Sequence, residues 1–143
     1  MHKSTKILVD KLKQNNVSKV IIGKNDGWKD EINIGSKNNQ NFVSLPHAKA
    51  IDVLKYKLEL NGIQVTVREE SYTSKCSLID LEPIKKQNEY LGKRIKRGLF
   101  KSKNNTLLNA DINGAGNILR KEIPTAFDNG IEGFVVNPKM LFV

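Results

Sequence analysis

An α/β fold is predicted by three stretches of this 143-residue chain. Val20-Ile21-Ile22 is a short, wholly apolar run closed by Gly23, as in a parallel strand buried on both faces. Residues 44 to 61 carry Ala48, Ile51, Leu54 and Leu58 at helical spacing. Ile63-Gln64-Val65-Thr66-Val67-Arg68 then alternates apolar and polar side chains, the period of a half-buried strand. Strand, helix and strand make a βαβ unit, right-handed by the general rule. Val20 to Gly23 and Ile63 to Glu70 are therefore expected as parallel neighbours.

Met1 to Asn16 reads as a helix with Ile7, Leu8, Val9 and Leu12 as its apolar stripe and Asn15-Asn16 as its stop. Residues 24 to 44 are polar and Asn-rich, a long, partly ordered loop with Trp28 and Phe42 as anchors and Ile32/Ile34 as an edge strand. Ser44 caps the next helix, which holds Pro46 in its first turn and closes at Asn61-Gly62. His47 in that turn and His2 at the terminus have no partner ligand nearby and read as structural or solvated. The second strand ends in Glu69 and Glu70. Alternation puts Glu70 on the face of Gln64, Thr66 and Arg68, and Glu69 on the apolar face unless the strand twists out. Asp111 opens the last helix, with Ile112, Ala115, Ile118 and Leu119 facing inward and Pro124 beyond its end. Asn113, Gly114 and Gly116 keep its first turns slim, so that a backbone or phosphate can approach. The tail from Phe127 to Val143 reads as turns at Asn129-Gly130 and Glu132-Gly133, then an apolar strand-like end that packs over the domain.

The chain is sized for one domain, and 38% hydrophobic with 6% aromatic residues gives a modest core. No apolar run approaches the ~20 residues of a membrane span, so a cytoplasmic protein without membrane association is predicted. Cys76 is the single cysteine, which permits no internal disulfide and no cysteine-rich zinc site. The net charge of +9 is uneven: Lys85, Lys86, Lys93, Arg94, Lys96, Arg97, Lys101 and Lys103 face only Glu89 between residues 85 and 103. Such a run is either a solvated face or a phosphate-binding one. The glycines and the interleaved Ile95 and Leu99 favour phosphate contacts.

Glu69 and Glu70 at a strand end and Asp111 at a helix start are the candidate acids. Each has an ordinary structural reading, as solvated carboxylates or a helix cap. Their chemical reading is oxygen ligation of a divalent metal pair, for which Mg²⁺ and Mn²⁺ are suited.

The runs Glu70-Ser71-Tyr72-Thr73-Ser74-Lys75, Gly92-Lys93-Arg94-Ile95-Lys96-Arg97-Gly98-Leu99 and Asn109-Ala110-Asp111-Ile112-Asn113-Gly114-Ala115 closely resemble the C-terminal part of the TnpB (OrfB) proteins. These are insertion-sequence proteins related to the type V CRISPR effectors. The similarity extends through Gly23-Lys24-Asn25, Trp28-Lys29 and Lys37 to Phe42 upstream and Asp128 to Gly133 downstream, nearly the whole chain. It implies a partial RNase H-like (RuvC-like) fold of two parallel strands and flanking helices, with residues 71–108 as a basic insertion for target nucleic acid. In many relatives this insertion is a zinc ribbon of two Cys-x-x-Cys pairs; with only Cys76 available, no zinc is expected.

The resemblance also implies RNA-guided cleavage of double-stranded DNA by two Mg²⁺ or Mn²⁺ ions, with DNA and guide RNA as partners. Most of the family carries its second catalytic Glu just after the first strand, where this chain has Gly23-Lys24-Asn25. A subset is similar in placing it at Glu70, so Glu70 and Asp111 are the expected metal ligands, Glu69 is next and Asp26 is weaker. Tyr72, Thr73, Ser74, Lys75, Lys93, Arg94, Lys96 and Arg97 are the expected nucleic-acid contacts. The family's first catalytic Asp and its strand would lie before Met1. The chain is thus expected to cleave only with a missing N-terminal half, the alternatives being a non-catalytic DNA- or RNA-binding remnant and a decayed gene product.

Overall fold

The computed structural model describes residues 2–25 and 47–131. The predicted loop with Trp28 and Phe42, the Ile32/Ile34 strand, the Ser44-Pro46 helix start, the Glu132-Gly133 turn and the apolar end lie outside them. The elements in order are α1 (His2–Gln14), β1 (Lys19–Lys24), α2 (His47–Leu60), β2 (Gln64–Glu69), β3 (Lys93–Lys96), β4 (Leu99–Lys101), β5 (Leu107–Asn109) and α3 (Ala110–Glu122). The fold is mixed α/β: β1 and β2 form a parallel pair and β3-β4-β5 an antiparallel sheet. The chain divides into two compact units at Val67/Arg68. Each unit has its own small core, which is why they separate.

In the first unit Val9, Leu58 and Ile63 are buried, with Leu12, Val20, Leu54 and Val65 packed on them. Both helices stop where predicted, and for the same reason. Asn16 and Gly62 take left-handed φ of +54° and +74°. Val17 N then donates to Leu12 O and Asn16 N to Lys13 O, as Ile63 N does to Leu58 O and Gly62 N to Glu59 O. These paired bonds satisfy the last carbonyls of each helix in a Schellman stop. Lys57 Nζ ties α2 to α1 through the His2 carbonyl (2.6 Å) and Thr5 Oγ1 (2.8 Å). Two readings are corrected here. Leu8 is 40% exposed, because a helix packed on one neighbour buries a narrow seam. β1 is half-buried along its length rather than enclosed on both faces.

The second unit contains strands that the sequence does not announce, since elements of three or four residues carry too little periodicity. β3 pairs with β4 at Lys93↔Lys101, Arg94↔Phe100 and Lys96↔Leu99, with a bulge between Arg94 and Lys96. Gly98, at φ +76°, makes the two-residue connection possible. β5 closes the sheet with Phe100 opposite Leu108. Phe100, Leu108 and Leu78 form the core, with Ile79, Ala110, Ile112, Phe127 and Ile131 around it. Gly92 lies so close to β4 that a Cβ would sit 2.8 Å from the Lys101 carbonyl oxygen.

The inward face of α3 is not the predicted one. Asn113 and Asn117 are fully buried, whereas Ala115 is exposed and Ile118 and Leu119 are half-buried. The cause is the irregular chain from Ser71 to Gly92, whose backbone groups need partners that no ladder supplies. Asn113 accepts from Leu78 N (2.9 Å) and donates to Cys76 O (2.9 Å). Asn117 donates to Thr73 O (2.9 Å) and Cys76 O (2.8 Å). Arg120 donates to Asn117 Oδ1, Glu82 O and Leu81 O at 2.9–3.0 Å. Gly116 is slim for Leu78, whose side chain fills the space a Cβ would need.

Candidate functional site

The end of β2 is clasped to the end of α3 by two consecutive ion pairs, Arg68 with Glu122 and Glu69 with Lys121. Lys121 Nζ reaches both the Glu69 carbonyl (3.0 Å) and its Oε2 (3.1 Å), while Oε1 accepts from Ser71 N (2.7 Å) and from the Ser71 hydroxyl. The Ser71 hydroxyl first, and Lys121 second, hold this carboxyl below its ordinary range. Glu69 is exposed rather than on the apolar face, because the strand ends there, and both of its carboxylate oxygens are occupied.

Glu70 is half-buried. Its carbonyl accepts from Thr73 N (3.2 Å) and the Thr73 hydroxyl (2.7 Å), while its carboxylate has no hydrogen bond or ion pair among the described residues. Asp111 is equally free. Its capping reading fails because Asn109 is the cap of α3, at φ −63° and ψ 133°, with Oδ1 accepting from Asp111 N (2.9 Å) and Ile112 N (3.2 Å). Asp111 and Lys121 stand about 15 Å apart along the α3 axis, at 1.5 Å per residue. Glu69, gripped by Lys121, is thus tied to the opposite end of the helix from Asp111, and Glu70 leaves the same strand end beside it. Among the described residues no three His, Cys, Asp or Glu side chains gather to hold a metal. Asp26 lies outside those residues.

Four of the basic residues lie on an exposed hairpin arm, Lys93 to Arg97. β3 is an edge strand, and Lys93, Arg94, Ile95 and Lys96 are all exposed, as is Arg97 in the turn. The bulge breaks the alternation that would otherwise turn some of them inward. None of Lys93, Arg94, Lys96 and Arg97 is in an ion pair among the described residues, and Ile95 is 44% exposed between them. In the 71–75 turn, Tyr72 holds φ +63°, an uncommon conformation for a bulky residue. Its ring is exposed beside the equally exposed Ser74 and Lys75. Thr73 faces the interior, buried with its hydroxyl on Glu70 O.

Sequence reasoning missed the residues that hold these groups in place. Lys121, Arg120, Asn113 and Asn117 recur on one side of α3, and that polar spacing was a readable signal. Glu82, buried far from any motif, offered none.

The protein family model described as Cas12f1-like, TNB domain, matches residues 47–118, half of the chain, from α2 through the acids at the end of β2 and the basic arm into α3. Among solved structures, the cryo-EM structure of a Cas12f1-sgRNA-target DNA complex matches with a TM-score of 0.53 and 22% identity, covering 82% of this chain and 32% of that one. That likeness shows the fold, and the present chain spans about a third of the Cas12f1 chain. No curated protein matches it. The chain therefore belongs to the Cas12f1-like TNB domain family, found in the C-terminal region of the TnpB and Cas12f proteins. Among the described residues no helix is long and apolar enough to cross a membrane.

Proposed function

We propose that this chain is the C-terminal part of a transposon-encoded, TnpB-like RNA-guided DNA endonuclease. Residues 71–108 are its nucleic-acid-binding insertion, and the rest is part of a RuvC-like nuclease domain. The observation that carries the reading is the exposed cationic run Lys93 to Arg97, in no ion pair among the described residues, inside the segment that matches the TNB model. Tyr72, Ser74 and Lys75 extend the same surface chemistry with an aromatic face, a hydroxyl and an ammonium, while Thr73 shapes their turn from inside. The Cas12f1 relative was solved with guide RNA and target DNA, which supports both as partners. In such complexes base pairing reads the sequence, and the protein contacts the backbone.

Phosphodiester hydrolysis belongs to the completed nuclease. Glu70 and Asp111, whose carboxylates have no hydrogen bond or ion pair among the described residues, would hold Mg²⁺ or Mn²⁺ once the completed nuclease brings them together, and the ions would supply Lewis acidity and an activated water. The occupied oxygens of Glu69 favour Glu70 over it as the ligand. In the completed enzyme, Glu70→Ala and Asp111→Ala are expected to abolish cleavage and Glu69→Ala to spare it; persistent cleavage by Asp111→Ala removes the assignment. The lack of a three-acid group among the described residues favours a second reading, a binding protein without chemistry. Binding itself is tested by salt titration on single-stranded DNA, where each phosphate contact adds about 0.7 to the slope of log K against log salt. Replacing Lys93, Arg94, Lys96 and Arg97 by Ala is expected to flatten that slope. An unchanged slope places the binding surface elsewhere.

A further inference from the structure

The zinc ribbon implied by the family resemblance does not fit the residues of this chain. A closed zinc site takes four thiolate, imidazole or carboxylate ligands in a tetrahedron. Cys76 is the one cysteine, and its buried thiol lies against the carbonyls of Pro83 (3.5 Å) and Lys85 (3.7 Å). The oxygen donors around it are already engaged with backbone. Ser77 Oγ accepts from Asp80 N (3.3 Å) and Ser102 Oγ from Thr106 N (3.1 Å). Asp80 Oδ2 accepts from Lys103 N (3.0 Å), which joins the 76–80 turn directly to the 102–106 turn.

Glu82 makes the second cross-link. It is 2% exposed, and its Oε2 accepts from Ser77 N (2.7 Å) while its Oε1 accepts from Leu91 N (3.0 Å). The Arg120 guanidinium, from α3, donates to the Glu82 carbonyl. Three separate segments therefore meet at one residue. A carboxylate is buried only when its oxygens are satisfied, and charge-assisted bonds to two amides fix its geometry.

We infer that Glu82 and Asp80 close this ribbon in place of a metal, so that the module folds and holds its basic arm without zinc. A structural zinc ties together loops too short to form a core of their own. Here a carboxylate bridging two backbone amides performs that cross-linking with hard oxygen atoms. The consequence is a nucleic-acid-binding module indifferent to zinc chelators and to the oxidants that strip zinc from thiolates. The inference rests on the family membership and not on the endonuclease reading.

The test uses the full 143-residue chain, purified from zinc-supplemented cells. Elemental analysis should find zinc far below stoichiometry, and thermal melting should be the same with and without EDTA. Glu82→Ala should melt about 10 °C or more below the parent, as expected when buried charge-assisted bonds are lost from a small domain. Glu82→Gln, which keeps one acceptor oxygen, should lie between. Stoichiometric zinc, a melt lowered by EDTA, or Glu82→Ala melting like the parent would each overturn the inference. Should Glu82→Ala prove insoluble, zinc content and the chelator melt of the parent decide alone. The salt titration reads binding independently, so its failure would leave these results standing.

Discussion

Replacing Asn117 by Ala removes the centre of the polar contact between α3 and the 71–92 chain. The side chain is fully buried, and three bonds go with it: donations to Thr73 O (2.9 Å) and Cys76 O (2.8 Å), and acceptance from Arg120 (3.0 Å). The losses are unequal. Cys76 O keeps Asn113, and Arg120 keeps the carbonyls of Leu81 and Glu82, but Thr73 O is left without its side-chain donor. One orphaned buried acceptor, two weakened bonds and a small cavity together amount to about 4 kcal/mol. In a unit of this size that lowers the melting temperature by about 15–30 °C. Urea titration followed by far-UV circular dichroism should show the midpoint falling with an unchanged slope. Asn117→Asp sharpens the test: it keeps the oxygen that Arg120 addresses but sets a second carboxylate oxygen against the Thr73 and Cys76 carbonyls in place of the amide donor, so it should lose stability as well. If Asn117→Ala or Asn117→Asp stays within about 1 kcal/mol of the parent, the polar spine is not what secures this loop.

Gly92→Ala should destabilise by about 2 kcal/mol, because its Cβ would press on a backbone carbonyl that cannot give. Gly114→Ala meets nothing within 4 Å and should stabilise α3 by up to about 1 kcal/mol; thermal melts distinguish the two. Tyr72→Asn suits the left-handed backbone at φ +63°, so it should leave the melt unchanged or raised while weakening binding to single-stranded DNA. Equal binding would exclude base stacking by the ring. The depressed Glu69 carboxyl contributes stability above its unfolded pKa and loses it as the pH falls through the lower folded value. A carbon-detected NMR titration should find its midpoint below the ordinary carboxylate range, and Ser71→Ala should bring it back up.

What could be read from the sequence was local or strongly patterned. Asn16 and Gly62 ended their helices because a left-handed residue after an apolar stripe acts within one turn. The parallel pairing of β1 and β2 followed from strand, helix and strand. The fault in reading α3 was physical: apolar periodicity assumes that a helix packs on side chains, whereas this one packs on main chain. Asn113 and Asn117 therefore took the positions assigned to Ala115, Ile118 and Leu119. Motif reading put both glutamates at the tip of β2. Only the partners of Glu69, one of them Lys121 from the far end of the chain, distinguish it from Glu70. Glu82 was invisible because its two amide partners, Ser77 and Leu91, come from either side of it, and no repeat relates the three.

The amides of Asn113 and Asn117 address the carbonyls and amide of residues 73 to 78, not their side chains. A path fixed through its main chain is indifferent to what the outward positions carry. Positions 74 and 75 can therefore be exchanged on an unaltered trace, whereas position 72, at φ +63°, favours Asn or Gly. The loop is in that sense a graft site: new aromatic or cationic residues placed there would inherit a presentation geometry already set by one helix.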